Sequence, residues 1–384
     1  MIMKKMILST LIILLFLSCK EEKKTPTIEK DKTEVFQSIL DSIYAKNKDA
    51  VGLMVHIEAP DKKISWSGAV GITDKNTNTP LSEDQPVLIA SNTKTYVSAA
   101  ILRLVEESML DLNQAIDTLI FKKTNALLKT DGYNTSLIKV VQLLSHTSGI
   151  HDYATTDAYM EMIKKDPKHR YSRDEQIKLA MTLGDPLGEA GDIFTYADVN
   201  YLLLTEIIES ITGKPFYTSI RDLIYYDKLG MQTTWFSTLE DYPKDLEPLV
   251  HQYWTSEGFD SYEIDHSFDL YGGGGIASTS KDLAVFCQSL FNNKIFEYSS
   301  TLDLIYTKAS PKKPMEGNYY LGLFGVDFDG VKGYGHGGFW GTVVNYFPEL
   351  NASIFILDRD KRILSPDINR LMLKELKSYY KTKQ

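Results

Sequence analysis

Strand-like segments lie at both ends of this chain, and a long helix-rich stretch separates them. Val51 to Ile57 and Ile64 to Val70 are rich in β-branched and apolar residues and are joined by a turn at Pro60-Asp61. Near the other end, Tyr319 to Phe328, Gly341 to Phe347 and Ser353 to Leu357 read the same way. Short connections within each group make neighbouring strands antiparallel. Neither group can bury its apolar faces alone, so the two must meet in one sheet, and the stretch between them is an insertion. Helical patterns flank the whole, with Val35, Ile39, Ile43 and Tyr44 at the start and Ile368 to Tyr380 at the end. The expected class is mixed α/β (α+β): an antiparallel sheet flanked by terminal helices, with a large helical insertion. An α/β lobe would come from about 34–90 and 270–384, and a helical lobe from about 91–269.

The first residues follow a different logic. Lys4 and Lys5 precede an apolar run from Ile7 to Leu17 that ends in Leu17-Ser18-Cys19, the layout of a signal peptide and too short for an ordinary membrane span. A small residue before the cysteine is similar to a lipoprotein processing site, so residues 1–18 are expected to be removed and Cys19 to carry the lipid. Phe16 stands where leucine is usual at such sites. The segment 19–33, nearly all Lys, Glu, Asp, Thr and Pro from Lys20 on, is too polar to pack and suits a flexible tether. The expected location is therefore the bacterial cell envelope, anchored to a membrane through Cys19, with the outer membrane or cell surface as options. Cys287, the other of two cysteines, has no partner for a disulfide and lies in an apolar helical run, which makes it a buried, inert thiol.

Charge excludes one class of function. With 42 Lys and Arg against 51 Asp and Glu the net charge is −9, and no basic block is interleaved with aromatics, so nucleic acid is not an expected partner. Gly272 to Gly275 lack the Gly-Lys-Ser/Thr or strand–loop–helix context of a phosphate-binding loop and read as a substrate-side loop or tight turn. Within the insertion, Thr95 to Glu107, Ser136 to Ser145, Asp198 to Ile211 and Phe216 to Tyr226 carry apolar residues three and four apart, and Thr279 to Asp282 resembles a capping box opening a helix through Leu290.

Three elements carry chemistry. Ser91-Asn92-Thr93-Lys94 places a hydroxyl and an amine one helical turn apart, and a serine hydroxyl becomes a nucleophile only when a neighbour takes its proton. The spacing itself is common: Ser136/Lys139, Ser278/Lys281, Ser310/Lys313 and Ser378/Lys381 repeat it. Ser91 differs in following Val87-Leu88-Ile89-Ala90 and opening a strongly apolar helix, where the helix dipole and free backbone amides suit an oxyanion. The second element is Tyr196, in a turn before the apolar helix that starts at Asp198; a phenol can act as a base if a cation such as Lys94 holds its phenolate. The third is Gly335-His336-Gly337-Gly338-Phe339-Trp340-Gly341 before a strand, where glycines mark the close approach of another backbone or a ligand and an exposed strand edge could pair with an extended substrate. Plainer readings stay open at this point: a helix-cap serine, a core tyrosine and a glycine bulge.

In this order the three elements resemble the serine β-lactamase and penicillin-binding-protein-like family, in the branch of class C β-lactamases, D-alanyl-D-alanine carboxypeptidases and related esterases. Leu143-Leu144-Ser145-His146-Thr147-Ser148-Gly149, Leu229-Gly230-Met231 with Thr234, and Gly274 to Thr279 with Asp282-Leu283 agree with that branch, and the resemblance covers about Val51 to Leu357. It implies a β-lactamase/transpeptidase-like fold and attack by Ser91, with Lys94 and Tyr196 moving its proton. It also implies an oxyanion hole from the amides of Ser91 and Phe339, and substrate contacts from Asp198, His336, Gly337 and Gly338. No metal or other cofactor is implied, and His146 and His151 read as part of a structural turn.

Two departures shape the functional expectation. The family's common Tyr-x-Asn is Tyr196-Ala197-Asp198 here, and a carboxylate should keep Lys94 protonated, leaving Tyr196 as the base. The Lys-Thr-Gly usual in class C β-lactamases is His336-Gly337-Gly338, which lowers the expectation of efficient β-lactam hydrolysis. The expected activity is that of a serine hydrolase acting through an acyl-enzyme on a small peptide or ester, first as a D-alanyl-D-alanine carboxypeptidase-like peptidase. A small-acyl esterase, then a β-lactamase, are the enzymatic alternatives; a non-catalytic ligand-binding or sensor module is the alternative of another class.

Overall fold

The computed structural model describes residues 28–254, 258–359 and 363–381. The signal segment, Cys19 and most of the tether lie outside the described residues.

Both groups of strands enter one six-stranded antiparallel sheet. Its order is Ile64–Gly71, Gly52–Ala59, Ala352–Asp358, Thr342–Phe347, Val331–Gly337, Phe324–Phe328. The chain ends are stitched at its centre, where Leu53 faces Asp358 and Ile57 faces Ile354. Side chains alternate between the two faces of a strand. Leu53, Val55, Ile57, Ile354 and Ile356 pack with Phe36 and Leu40 of the first helix (Ile28–Lys46) and Ile368 and Met372 of the last (Ser365–Lys381). Met54, Phe355 and Leu357 point the other way, into the larger core.

That larger core is organised around the helix Thr93–Glu106, in which every residue from Thr93 to Leu104 is buried. A helix buried on all sides threads the core, and each fully buried Val, Leu or Ile contributes roughly 1.5–3 kcal/mol. The helices Asp198–Thr212 and Ser280–Phe291 pack in the same core, and a short sheet of Val87–Leu88, Ile276–Ser278 and Thr234–Phe236 leads into Ser91. The mixed α/β class and the antiparallel sheet are as expected, and both terminal helices cover the same face of that sheet.

Several local expectations are corrected. The first helix begins at Ile28, inside the stretch read as tether, which Glu and Lys, both good helix formers, permit. The helix expected over Ser136 to Ser145 is only Val140–Leu144, since Ser136 and Asn134 bond to each other in a preceding turn. Thr279 caps its helix by accepting from Asp282 N, but Asp282 does not bond back: its carboxylate accepts from Thr233 N and Thr234 Oγ1. Half the capping box thus becomes a tie to another element. The strand expected from Tyr319 starts at Phe324, and Val331–Gly337, rich in glycine and unread as a strand, is one. Cys287 is buried, as expected.

Candidate active site

Ser91 lies on a one-turn 3-10 segment, Ala90–Asn92, that runs into the buried helix. Ala90 is held at φ 45°, a left-handed conformation that costs a non-glycine residue about 1–2 kcal/mol. The surrounding bonds enforce it. Ile89 N donates to Ile276 O at 3.0 Å, and Ile89 O accepts from Asn92 N (3.2 Å), Asn92 Nδ2 (2.8 Å) and Thr342 Oγ1 (3.1 Å). Gly338 lies directly against this turn: a Cβ there would run into Ile89 O and Thr342 Oγ1. The expectation that the glycines mark a close backbone approach is met at this position.

Lys94, one turn on, is fully buried. Its Nζ donates to Ser91 Oγ at 2.9 Å and to Gly273 O at 2.5 Å, and forms an ion pair with Asp198 Oδ1 at 2.6 Å. Burial lowers its pKa; the charges of Asp198, Tyr196 and Asp269 outweigh that and raise it well above the ordinary lysine value. Lys94 is therefore an ammonium whose donors are already engaged. The loop Gly272–Gly275 is the element that brings the Gly273 carbonyl to it, which places this loop beside the site as the sequence suggested.

The Tyr196 hydroxyl lies near both Lys94 and Ser91, each of which lowers its pKa, and Lys94 Nζ is 4.8 Å from the centroid of its ring. Burial raises its pKa, Lys94 lowers it and Asp198 raises it, and the balance leaves it above the ordinary tyrosine value. Asp198 thus acts on both partners: it keeps Lys94 protonated, as the sequence suggested, and it also opposes the phenolate. At rest the group is an ammonium, a neutral phenol and a hydroxyl. Since Lys94 donates to Ser91 Oγ, the serine proton is free to face the phenol oxygen, which is the arrangement a proton relay needs.

His146 is a part of this arrangement that sequence reasoning set aside as structural. Its carbonyl accepts from Thr195 N at 2.9 Å, its Nδ1 accepts from Ala197 N at 3.1 Å, and its ring lies 4.3 Å from the Tyr196 ring. An accepting Nδ1 puts the proton of a neutral ring on Nε2, which faces Tyr319 Oη at 3.1 Å. Burial first, then the charges of Lys94 and His336, hold the imidazole neutral. The turn that carries Tyr196 is gripped on both sides by one residue. The motif around His146 was visible in the sequence; its contact with a tyrosine fifty residues away was not.

Two acids were also missed. Asp152 Oδ1 accepts from Asp198 N at 2.8 Å, and Asp269 faces Gly274, where a Cβ would collide with its carboxylate. Burial, followed by the charge of Asp198, pushes both up to about 7. Neither has a sequence signature of its own, because each acquires its meaning from Asp198.

These groups open on a cavity of about 380 Å³, within the usual range for a small-molecule site. Ser91, Tyr196, Asp198, Asp269, His336 and Phe339 line its reactive side, and Tyr159, Met160, Ile163, Trp254, Phe268 and Phe324 line the rest. His336 is buried, with Nδ1 2.7 Å from Gly337 O, and its ring is 5.1 Å from that of Phe324. Its strand is not the exposed edge that was expected, because Thr342–Phe347 pairs with it on one side and Phe324–Phe328 on the other. Pairing with Phe324–Phe328 nevertheless stops at Gly335, one residue before His336. Gly338 N is spent on Thr342 O, and Phe339 follows it at the cavity wall, 4.2 Å ring to ring from Trp254. Gly338 itself supports the Ser91 turn and is not among the residues lining the cavity.

The Beta-lactamase family model matches residues 40–362. A Bacillus subtilis N-acetylmuramyl-L-alanine amidase is 25% identical over 321 residues, 73% of this chain and 70% of its own. A Salmonella typhimurium protein described as a D-alanyl-D-alanine carboxypeptidase is 26% identical over 319 residues, 73% of this chain and 71% of its own. Among solved structures, the D-amino acid amidase of Ochrobactrum anthropi SV3, complexed with L-phenylalanine amide, superposes with a TM-score of 0.75 at 22% identity over 92% of this chain and 99% of that one.

Proposed function

The chain belongs to the beta-lactamase family as a serine hydrolase, and we propose that it hydrolyses a small amide or ester of D-amino-acid type through an acyl-enzyme on Ser91. The observation that carries this reading is the contact of Lys94 Nζ with Ser91 Oγ at 2.9 Å, with the Tyr196 ring centroid 4.8 Å from Lys94 Nζ and the cavity in front. Ser91 Oγ attacks the carbonyl while its proton passes to Tyr196 in its phenolate form, the minor form that Lys94 favours and Asp198 opposes; the amides of Ser91 and Phe339 receive the oxyanion. The same proton then goes to the leaving amine or alcohol, and water releases the acyl group. Asp198 acts on the substrate and on Lys94 together, and His336 and Gly337 border the leaving-group side.

A peptidase of the kind named among the relatives is the first reading, and a small-acyl esterase the second. A β-lactamase ranks below both, because His336-Gly337-Gly338 offers neither the lysine nor the hydroxyl of Lys-Thr-Gly. We further propose that the protein is held in the cell envelope by a lipid on Cys19; Cys19→Ala should then release it from membranes on fractionation, and retention would contradict this. A D-alanyl-D-alanine peptide, a short-chain nitrophenyl ester and nitrocefin, assayed side by side, test the activity. Turnover of the peptide or ester with little of nitrocefin is expected, and nitrocefin turnover exceeding both would reverse the ranking.

A further inference from the structure

We infer that His146 is a positioning residue for acyl transfer: the Nδ1 lone pair of its imidazole holds the main chain beside Tyr196, and so sets where the Tyr196 phenol stands relative to Ser91 and Lys94. This rests on the acyl-enzyme reading of Ser91 and assigns to that site a residue from outside its cavity.

Tyr196 lies in an irregular segment before the helix Asp198–Thr212, so no ladder of its own fixes it. The first N–H groups of a helix also lack partners within it. Here the acceptors come from one short stretch of chain. Thr195 N donates to His146 O at 2.9 Å, Ala197 N to His146 Nδ1 at 3.1 Å, and Asp198 N to Asp152 Oδ1 at 2.8 Å. His146 thus receives a bond on each side of Tyr196, one with its main chain and one with its ring. It stands at φ 56°, a left-handed conformation that a non-glycine residue keeps only where its surroundings over-determine it.

One protonation state of the ring fits these partners. Ala197 N and Asn200 Nδ2 lie 3.1 Å and 3.2 Å from Nδ1 and can only donate; Asn200 is oriented by Ser148 Oγ, which donates to its Oδ1 at 2.7 Å. Nδ1 is therefore bare, and the ring proton is on Nε2, facing Tyr319 Oη at 3.1 Å. A proton on Nδ1 would set a donor against two donors. Lys94 and His336 oppose a second proton by their charge, and the rings of Tyr196, Tyr201 and Tyr319 close around the imidazole at 4.3, 5.2 and 4.8 Å.

His146 is buried and is not among the residues that line the cavity, so it does not meet the substrate. Its effect passes through Tyr196. Moving a proton-transfer group by about 1 Å can cost about 10²-fold in rate, which makes the Ala197 bond a kinetic as well as a structural contact.

Two substitutions separate the ring nitrogens. His146→Asn keeps an amide oxygen near the position of Nδ1 for Ala197 N to donate to, whereas the longer side chain in His146→Gln carries its polar end toward Tyr319. Tyr319→Phe removes the partner of Nε2 and leaves Nδ1 alone. Each is assayed on a short-chain nitrophenyl ester, with fluorophosphonate labelling of Ser91 read by intact mass. In His146→Gln kcat should fall about 10-fold to 100-fold, with KM within about threefold and labelling slowed to match. His146→Asn should recover to within about fivefold of wild type, and Tyr319→Phe should stay within about threefold. A residue that only supports the fold would lower the melting temperature in all three and leave kcat per folded molecule unchanged. Near-wild-type kcat in folded His146→Gln, or equal losses in the Asn and Gln variants, overturns the inference. Nitrogen-15 spectra of histidine-labelled wild type decide it even where a variant does not fold: the histidine perturbed in Tyr319→Phe should remain a neutral Nε2–H tautomer from pH 6 to pH 9, and an Nδ1–H tautomer or an imidazolium overturns it. Any of these contrary results with a labelled wild type leaves the acyl-enzyme reading intact; a wild type neither labelled nor active overturns both.

Discussion

Lys94 Nζ lies closer to Asp198 Oδ1, at 2.6 Å, than to Ser91 Oγ, at 2.9 Å. The carboxylate therefore competes with the nucleophile for the same ammonium. It raises both Lys94 and Tyr196, so it governs how readily any base in the site becomes available.

Asp198→Asn should lower the pKa of both groups. The rising limb of kcat/KM against pH, measured on an uncharged ester, should move to lower pH by about one unit, the scale of a nearby charge. A limb that stays in place would remove Asp198 from the proton relay.

Tyr196→Phe keeps the ring against His146 and deletes only the hydroxyl. Its kcat should fall about 10²-fold to 10⁴-fold, the usual contribution of a positioned acid or base. Its melting temperature should change little, and a kcat close to wild type would assign the base role elsewhere.

Gly338→Ala drives a methyl group into Ile89 O and Thr342 Oγ1 beside the Ser91 turn. Overpacking of this kind costs roughly 1–3 kcal/mol. Chemical denaturation should show that loss together with slower labelling of Ser91, because the strained Ala90 turn must shift. Wild-type stability and labelling in this variant would mean that the turn has slack.

Asp152 and Asp269, pushed up to about 7 by burial and then by Asp198, make stability depend on pH. With folded values above the unfolded one, the native state holds more protons between about pH 4 and pH 7, so stability is full below that window and declines through it. Asp269→Asn removes part of this decline. Thermal melts at pH 5 and pH 8 should differ less in the variant than in the wild type, and an equal or larger difference would contradict the placement of Asp269.

The sheet was legible because period-2 apolar segments at both chain ends could only be satisfied together, as Leu53 opposite Asp358 illustrates. Val331–Gly337 escaped notice for the opposite reason: its glycines give no alternation to read, and a side chain would run into the Phe347 ring and Tyr346 O at Gly333 and into Val344 O at Gly335. Ser91 and Lys94 were singled out by their spacing at the start of an apolar helix, Tyr196 by its turn before another and His336 by the glycines around it, and the three together then resembled a family. Asp152 and Asp269 were not found, since a buried acid looks like any surface aspartate until the fold sets it beside Asp198. His146 stood in a recognised motif, yet its grip on Thr195 and Ala197 depends on two turns meeting in space.

The account depends above all on Ser91 being the group that takes the acyl chain. Intact mass of the protein treated with a fluorophosphonate, followed by peptide mapping, addresses this directly. One adduct per chain on the peptide bearing Ser91, absent in a folded Ser91→Ala variant, is the predicted result. An unmodified wild type, or an adduct that persists in Ser91→Ala, would contradict it.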